Sequence, residues 1–85
     1  MAKFIPPKKE KAEVRNRTFS NFPVNIEIVT GIEKTTHYVY SDGCWSVQEP
    51  VIKFHGTDIL WHFGEYGSKE RDCCFDELMN EPATH

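Results

Sequence analysis

The chain has 85 residues, 39% of them hydrophobic, and a formal net charge of −3, which together indicate one small folded domain. The charge is divided unevenly, because residues 1–18 carry a net of +4 and residues 19–85 carry a net of −7. No apolar run approaches the ~20 residues of a membrane span, and three cysteines, two of them adjacent, do not suit a disulfide framework. We therefore expect a cytoplasmic protein.

Residues 1–18 are predicted to form a basic, flexible arm that precedes a single small α+β domain over residues 19–85. Two prolines near the start favour extended backbone, and the stretch from Lys8 to Arg17 has no apolar stripe that a helix could bury. Phe19 and Phe22 are available to pin the arm to the domain.

The domain is predicted to hold a small antiparallel sheet of about five strands, from its alternating apolar residues and its turn signals. Asp42-Gly43 between two apolar runs predicts a hairpin turn. Pro50 lacks an N–H group, so a new strand is expected to begin after it. The predicted strands cover Val24–Val29, Thr36–Tyr40, Cys44–Gln48, Val51–His55 and Ile59–Phe63.

The last two of these strands read as a hairpin in which Ile52 and Phe54 share one face with Trp61. Two architectures fit the strand pattern. One is an open sheet covered by a helix, and the other is a small SH3-like or OB-like barrel.

A C-terminal amphipathic helix is predicted to begin at Ser68 and to end before Pro82. Carboxylates in its first turn suit the positive end of the helix dipole. Its apolar stripe is expected to pack on the sheet and consists of Cys74, Phe75, Leu78 and Met79.

Neither a metal site nor a cofactor is predicted. The cysteines and histidines lack the paired spacing of a zinc site, and His55 with His62 is the one pair that shares a face of a predicted hairpin. Cys44 or Cys73 beside a histidine would be needed for nucleophilic catalysis, but no nucleophile elbow or phosphate-binding loop is present. We therefore predict that the protein is not an enzyme.

The sequence favours a small non-enzymatic regulator or accessory protein that occupies a surface on a protein partner. A basic surface of a nucleic-acid-handling host protein is one candidate target, as for inhibitors encoded by phages or mobile elements, and a second copy at a sheet edge is another candidate partner. Exposed aromatics on a sheet and an acidic helix face are the predicted contacts. The residues concerned are Tyr38, Tyr40, Trp61, Glu70, Asp76 and Glu77.

The alternative is nucleic-acid binding through the arm, whose side chains would neutralise phosphates in a salt-dependent way. A third possibility opposes both, because the arm could fold back with its phenylalanines over the sheet and its lysines on the acidic helix. The basic residues of the alternative are Lys8, Lys9, Lys11, Arg15 and Arg17.

Overall fold

The structure, a computed structural model, describes residues 3–41 and 45–80. Seven strands precede one helix, and a short 3-10 helix over Ile26–Ile28 follows the fourth strand. The elements are β1 Phe4–Ile5, β2 Lys11–Val14, β3 Arg17–Ser20, β4 Val24–Asn25, β5 Gly31–Ser41, β6 Trp45–His55, β7 Leu60–His62 and α1 Ser68–Asn80.

The strands form three small antiparallel sheets. One sheet has the order β5-β6-β7, and β2 with β3 and β1 with β4 make two-stranded pairs. The predicted small α+β class with a C-terminal helix is confirmed. The single five-stranded sheet is not found, and the described residues do not close into a barrel.

The predicted strand break at Pro50 is wrong, because Trp45–His55 is one continuous strand of 11 residues. Pro50 accepts a hydrogen bond on its carbonyl oxygen from the N–H of Phe63 at 3.2 Å, so its backbone faces the β7 side. Val51 already pairs with His62, the last residue of β7. The missing N–H of Pro50 therefore lies on the side of Phe63, the residue that follows β7, and removes no bond to β5.

The strand predicted over Val24–Val29 is also mostly wrong. Only Val24–Asn25 is extended, and it pairs with Phe4–Ile5. The Asn25 side chain then accepts a hydrogen bond from the N–H of Glu27 at 3.0 Å and caps the 3-10 helix. This local bond competes with sheet pairing, and it leaves Ile26 and Ile28 exposed rather than aligned on a buried face.

The predicted flexible arm is not observed in the described part of residues 1–18. Lys11–Val14 and Arg17–Ser20 form a hairpin, and Ala12 and Val14 are 3% and 1% exposed. Arg15 and Asn16 have φ values of 49° and 67°, as the two central residues of a type I′ turn require. The period of two in Lys-Ala-Glu-Val was the signal for this hairpin.

The core lies between the three-stranded sheet and α1. Ile52, Phe54, Trp61 and Phe63 are buried together, which confirms the predicted shared face of the β6–β7 hairpin. The helix contributes buried Cys74 and partly buried Phe75 and Leu78, whereas Met79 is 59% exposed and lies outside the packed stripe.

Gly56, after β6, is expected to be a sensitive position. Its φ is +94°, and an added Cβ would lie 2.3 Å from the carbonyl oxygen of Ile28. Gly56→Ala should lower the free energy of unfolding by about 1–3 kcal/mol, measured by urea denaturation. Gly31→Ala is the control, because a Cβ there meets only ordinary contacts with His55 and should change stability little. Equal effects at the two glycines would contradict this prediction.

Candidate functional site

The predicted acidic face of α1 is partly neutralised by the N-terminal segment. Glu77 pairs with Lys8, and Glu70 lies 3.5 Å from the Nζ atom of Lys9. The hydrogen bond to Glu77 raises the pKa of the Lys8 ammonium above its usual value. Of the three predicted helix acids, only Asp76 has no charged partner among the described residues. Two of the three carboxylates are therefore engaged within the chain.

The predicted aromatic contacts separate into one exposed and one buried residue. Tyr38 is 54% exposed on β5, as expected of a contact residue. The expected exposure of Trp61 is wrong, because the ring is 1% exposed and packs edge-on against Phe54 with centroids 4.6 Å apart. Its Nε1 atom donates to the carbonyl oxygen of Phe22 at 2.7 Å. The side chain of Tyr40 lies outside the described part of the structure.

The basic residues of the nucleic-acid alternative do not form one open surface. Lys8 and Lys9 are paired with the helix, and the Nη2 atom of Arg15 lies 3.7 Å from Glu65. Lys11 and Arg17 are exposed on the β2–β3 hairpin. Positive charge at three of the five positions is therefore compensated locally.

One edge of the main sheet is closed by a single side chain, which sequence reasoning missed. The Oδ1 atom of Asn21 accepts from the N–H of His62 at 2.7 Å, and its Nδ2 atom donates to the His62 carbonyl oxygen at 3.0 Å. The same Nδ2 donates to the carbonyl oxygen of Lys9 at 2.6 Å. The Asn21 carboxamide thus takes the place of a strand residue beside β7, and the sequence offers no pattern that predicts it.

The opposite edge of the sheet, along β5, has no strand paired with it among the described residues, and Arg71 of α1 donates a hydrogen bond to the carbonyl oxygen of Thr35 at 2.9 Å. On its other side β5 pairs with β6. Pro50 directs its backbone groups toward β7, so the β6 residues on either side of it direct theirs toward β5. The β5 residues opposite those two bond to β6, and the alternate residues of β5 direct their N–H and C=O groups outward. The outward residues include Ile32, Lys34, Thr36 and Tyr38.

A buried acid–base pair lies on the face of the sheet that the β2–β3 hairpin covers. Glu49 has 0% exposure, and its Oε1 atom is 3.2 Å from the Nδ1 atom of His62. The two side chains are close, but their geometry does not form a hydrogen bond, and both Glu49 oxygens lack hydrogen-bond partners. The strand pattern placed His62 on one face of a hairpin with His55 and indicated no role for Glu49.

Aromatic rings enclose this pair. Phe19 stacks on His62 with centroids 4.5 Å apart and an interplanar angle of 15°, and His37 meets His62 edge-on at 5.6 Å. His37 is also the cross-strand neighbour of Glu49. Within residues 3–41 and 45–80, no group of three or more potential ligands is arranged to hold a metal ion. The fully buried carboxylate is out of reach of a dissolved substrate in this arrangement.

The two described cysteines differ in environment. Cys73 is exposed, whereas Cys74 is 2% exposed and lies at the base of open grooves of about 470 and 380 Å³ on either side of Lys8. Burial raises the pKa of the Cys74 thiol, which disfavours the reactive thiolate. Cys44 lies outside the described residues.

Thiol alkylation should therefore distinguish the two positions. At pH 8, iodoacetamide is expected to modify Cys73 at least about tenfold faster than Cys74, because both burial and a raised pKa reduce thiolate access. The rates are measured by mass spectrometry on Cys73→Ser and Cys74→Ser variants. Faster labelling of Cys74 in the folded protein would contradict the prediction.

No described helix is long and apolar enough to cross a membrane. Comparison with protein-family models, with curated proteins and with solved structures found no match.

Proposed function

We propose that this chain is a small, non-enzymatic cytosolic accessory protein that acts by binding another polypeptide along the outer edge of β5. The observation that carries the proposal is the contrast between the two edges of the main sheet. Asn21 satisfies the backbone of His62 at the β7 edge, whereas alternate residues of β5 direct backbone donors and acceptors outward. An extended segment that pairs with such an edge gains main-chain hydrogen bonds.

The composition of β5 supports this use. Natural proteins usually protect exposed edges with proline, bulges, dense charge or short strands. β5 has 11 residues in one unbroken register with β6, without proline, and only Glu33 and Lys34 carry a full charge. Tyr38, which is 54% exposed on the same strand, supplies an aromatic anchor.

Thr36→Pro tests the edge directly. The N–H of Thr36 faces outward and its β6 neighbour is Pro50, so proline at this position removes a docking donor without removing a β5–β6 bond. Thr36→Val is the matched control, because it keeps the N–H group and the branched shape. We expect binding along this edge, whether of a protein captured from nuclease-treated lysate or of a second copy of the chain, to be retained by Thr36→Val and lost with Thr36→Pro. Undiminished retention by a folded Thr36→Pro variant would overturn the proposal.

Inhibition of a nucleic-acid-handling protein through the acidic helix is a narrower form of the same proposal. Asp76 is the helix acid that supports it best, because Glu70 and Glu77 are engaged with lysines. Asp76→Lys should weaken such a complex more than Glu70→Lys does.

A further inference from the structure

We infer that the partner of the β5 edge is a second copy of this chain, paired antiparallel about Thr35, so that two three-stranded sheets become one six-stranded sheet. The inference rests on the proposed function and deepens it, because it names the occupant of the same edge. It follows from the order of charges and side chains along Gly31–Ser41.

The register is restricted by two requirements. Outward-facing residues of one strand must oppose outward-facing residues of the other, which places the two-fold axis on a residue rather than between residues. An axis at Glu33 or at Lys34 would set each of these charges opposite its own copy, which is destabilising. The axis therefore lies further along the strand.

An axis at Thr35 sets polar or uncharged neighbours opposite each charged residue. Glu33 then opposes His37 of the second copy, Lys34 opposes Thr36, and the central threonines oppose one another. Glu33 and Lys34 keep their contacts with His55 and Asp72 of their own chain. Threonine pairs of this kind stabilise antiparallel sheets. No like charges face each other in this register.

The same register covers the exposed aromatic side chain of β5. Tyr38 lies opposite Ile32 of the second copy, and Ile32 is half-buried against the core. An aromatic ring over a β-branched residue extends each core across the new strand pair. Ile32, Lys34, Thr36 and Tyr38 of each strand, exchanging two bonds per pair, give about eight hydrogen bonds between the chains.

The β7 edge has only three residues, and its last residue, His62, is already bonded to Asn21, which disfavours the addition of further chains at that edge. A sheet that is free on both edges can add copies without end, whereas an isologous pair consumes the β5 edge of each chain. In the six-stranded sheet the two outer strands would be the two copies of β7, and in each the Asn21 side chain bonds to the backbone of His62.

Sedimentation equilibrium of the purified full chain tests the inference. At concentrations up to about 100 µM, well above the micromolar Kd of a modest interface, we expect dimeric wild type and Thr36→Val and monomeric Thr36→Pro. Circular dichroism checks that each variant is folded. A monomeric wild type, or a folded Thr36→Pro variant that stays dimeric, overturns the inference.

Oxidative cross-linking gives a second readout that does not depend on proline. Across an axis at Thr35, the two Thr35 Cα atoms would lie ~4.5 Å apart, within disulfide range. Thr35→Cys should give a covalent dimer on mild oxidation, and the exposed position of Asp58→Cys should not, with wild type as the background for native thiols. Absence of a Thr35→Cys dimer contradicts the register.

The two proposals fail in different ways. If the purified wild type is monomeric while Thr36→Pro alone loses a captured protein, the β5 edge binds a different polypeptide and the second-copy inference falls. If the wild type is dimeric and Thr36→Pro is a folded dimer that retains every captured protein, both uses of the edge are wrong.

Discussion

Replacing His62 with leucine is expected to lower the free energy of unfolding by about 3 kcal/mol, because it leaves the buried acidic side chain of Glu49 without its polar neighbour. Glu49 is fully buried, and neither of its oxygens has a hydrogen bond that would compensate for the loss. Urea denaturation followed by tryptophan fluorescence measures the change, since Trp61 lies in the adjoining core.

The double replacement Glu49→Leu/His62→Leu serves as the control for this prediction. Removing both partners leaves no buried polar side chain without a partner, so the double variant should be more stable than His62→Leu alone and close to the wild type. A double variant that loses as much as the sum of the two single variants would show that the residues act independently.

Asn21→Ala should produce the second large loss, about 3 kcal/mol or more, because it deprives the buried backbone of His62 of both its partners. The Lys9 carbonyl oxygen loses a donor as well. Asn25→Ala is the matched control: its side chain accepts one exposed hydrogen bond, so the loss should be about 1 kcal/mol or less. Thermal and urea unfolding of the two variants give the comparison.

Asn21→Asp tests the donor half of the Asn21 carboxamide separately from its acceptor half. Aspartate still accepts from the N–H of His62, but it places a carboxylate oxygen against the carbonyl oxygens of His62 and Lys9. We expect this nearly isosteric change to be at least as destabilising as alanine at pH 7. Wild-type stability of Asn21→Asp would mean that the donor half of the carboxamide contributes nothing.

The elements that could be predicted were those whose periodicity is strong and local. The alternation of apolar and polar side chains around Ile52 and Trp61 was sufficient to predict the β6–β7 hairpin. An apolar stripe preceded by a polar N-cap residue, Ser68, was sufficient to predict α1. The hairpin over residues 11–20 had the same period of two, but only two small apolar side chains, Ala12 and Val14, alternate with its charged residues, so the pattern was weak.

The features that could not be predicted depend on distant contacts. Pro50 is tolerated within β6 only because β7 ends one pair earlier, which no local pattern reveals. The expected exposure of Trp61 failed because the sequence gives the alternation of a strand but not which face the helix covers. The pairing of Glu49 with His62 joins residues of two strands whose register had to be known first.

The closure by Asn21 also sets an order of events during folding. Asn21 and His62 are 41 positions apart, whereas β5 and β6 are joined by a short connection and pair locally. Local pairings close with less loss of chain entropy, so the β5–β6 hairpin is expected to precede the docking of the N-terminal strands. During synthesis the β2–β3 hairpin emerges before β7, so it has no docking site on the main sheet until β7 has emerged.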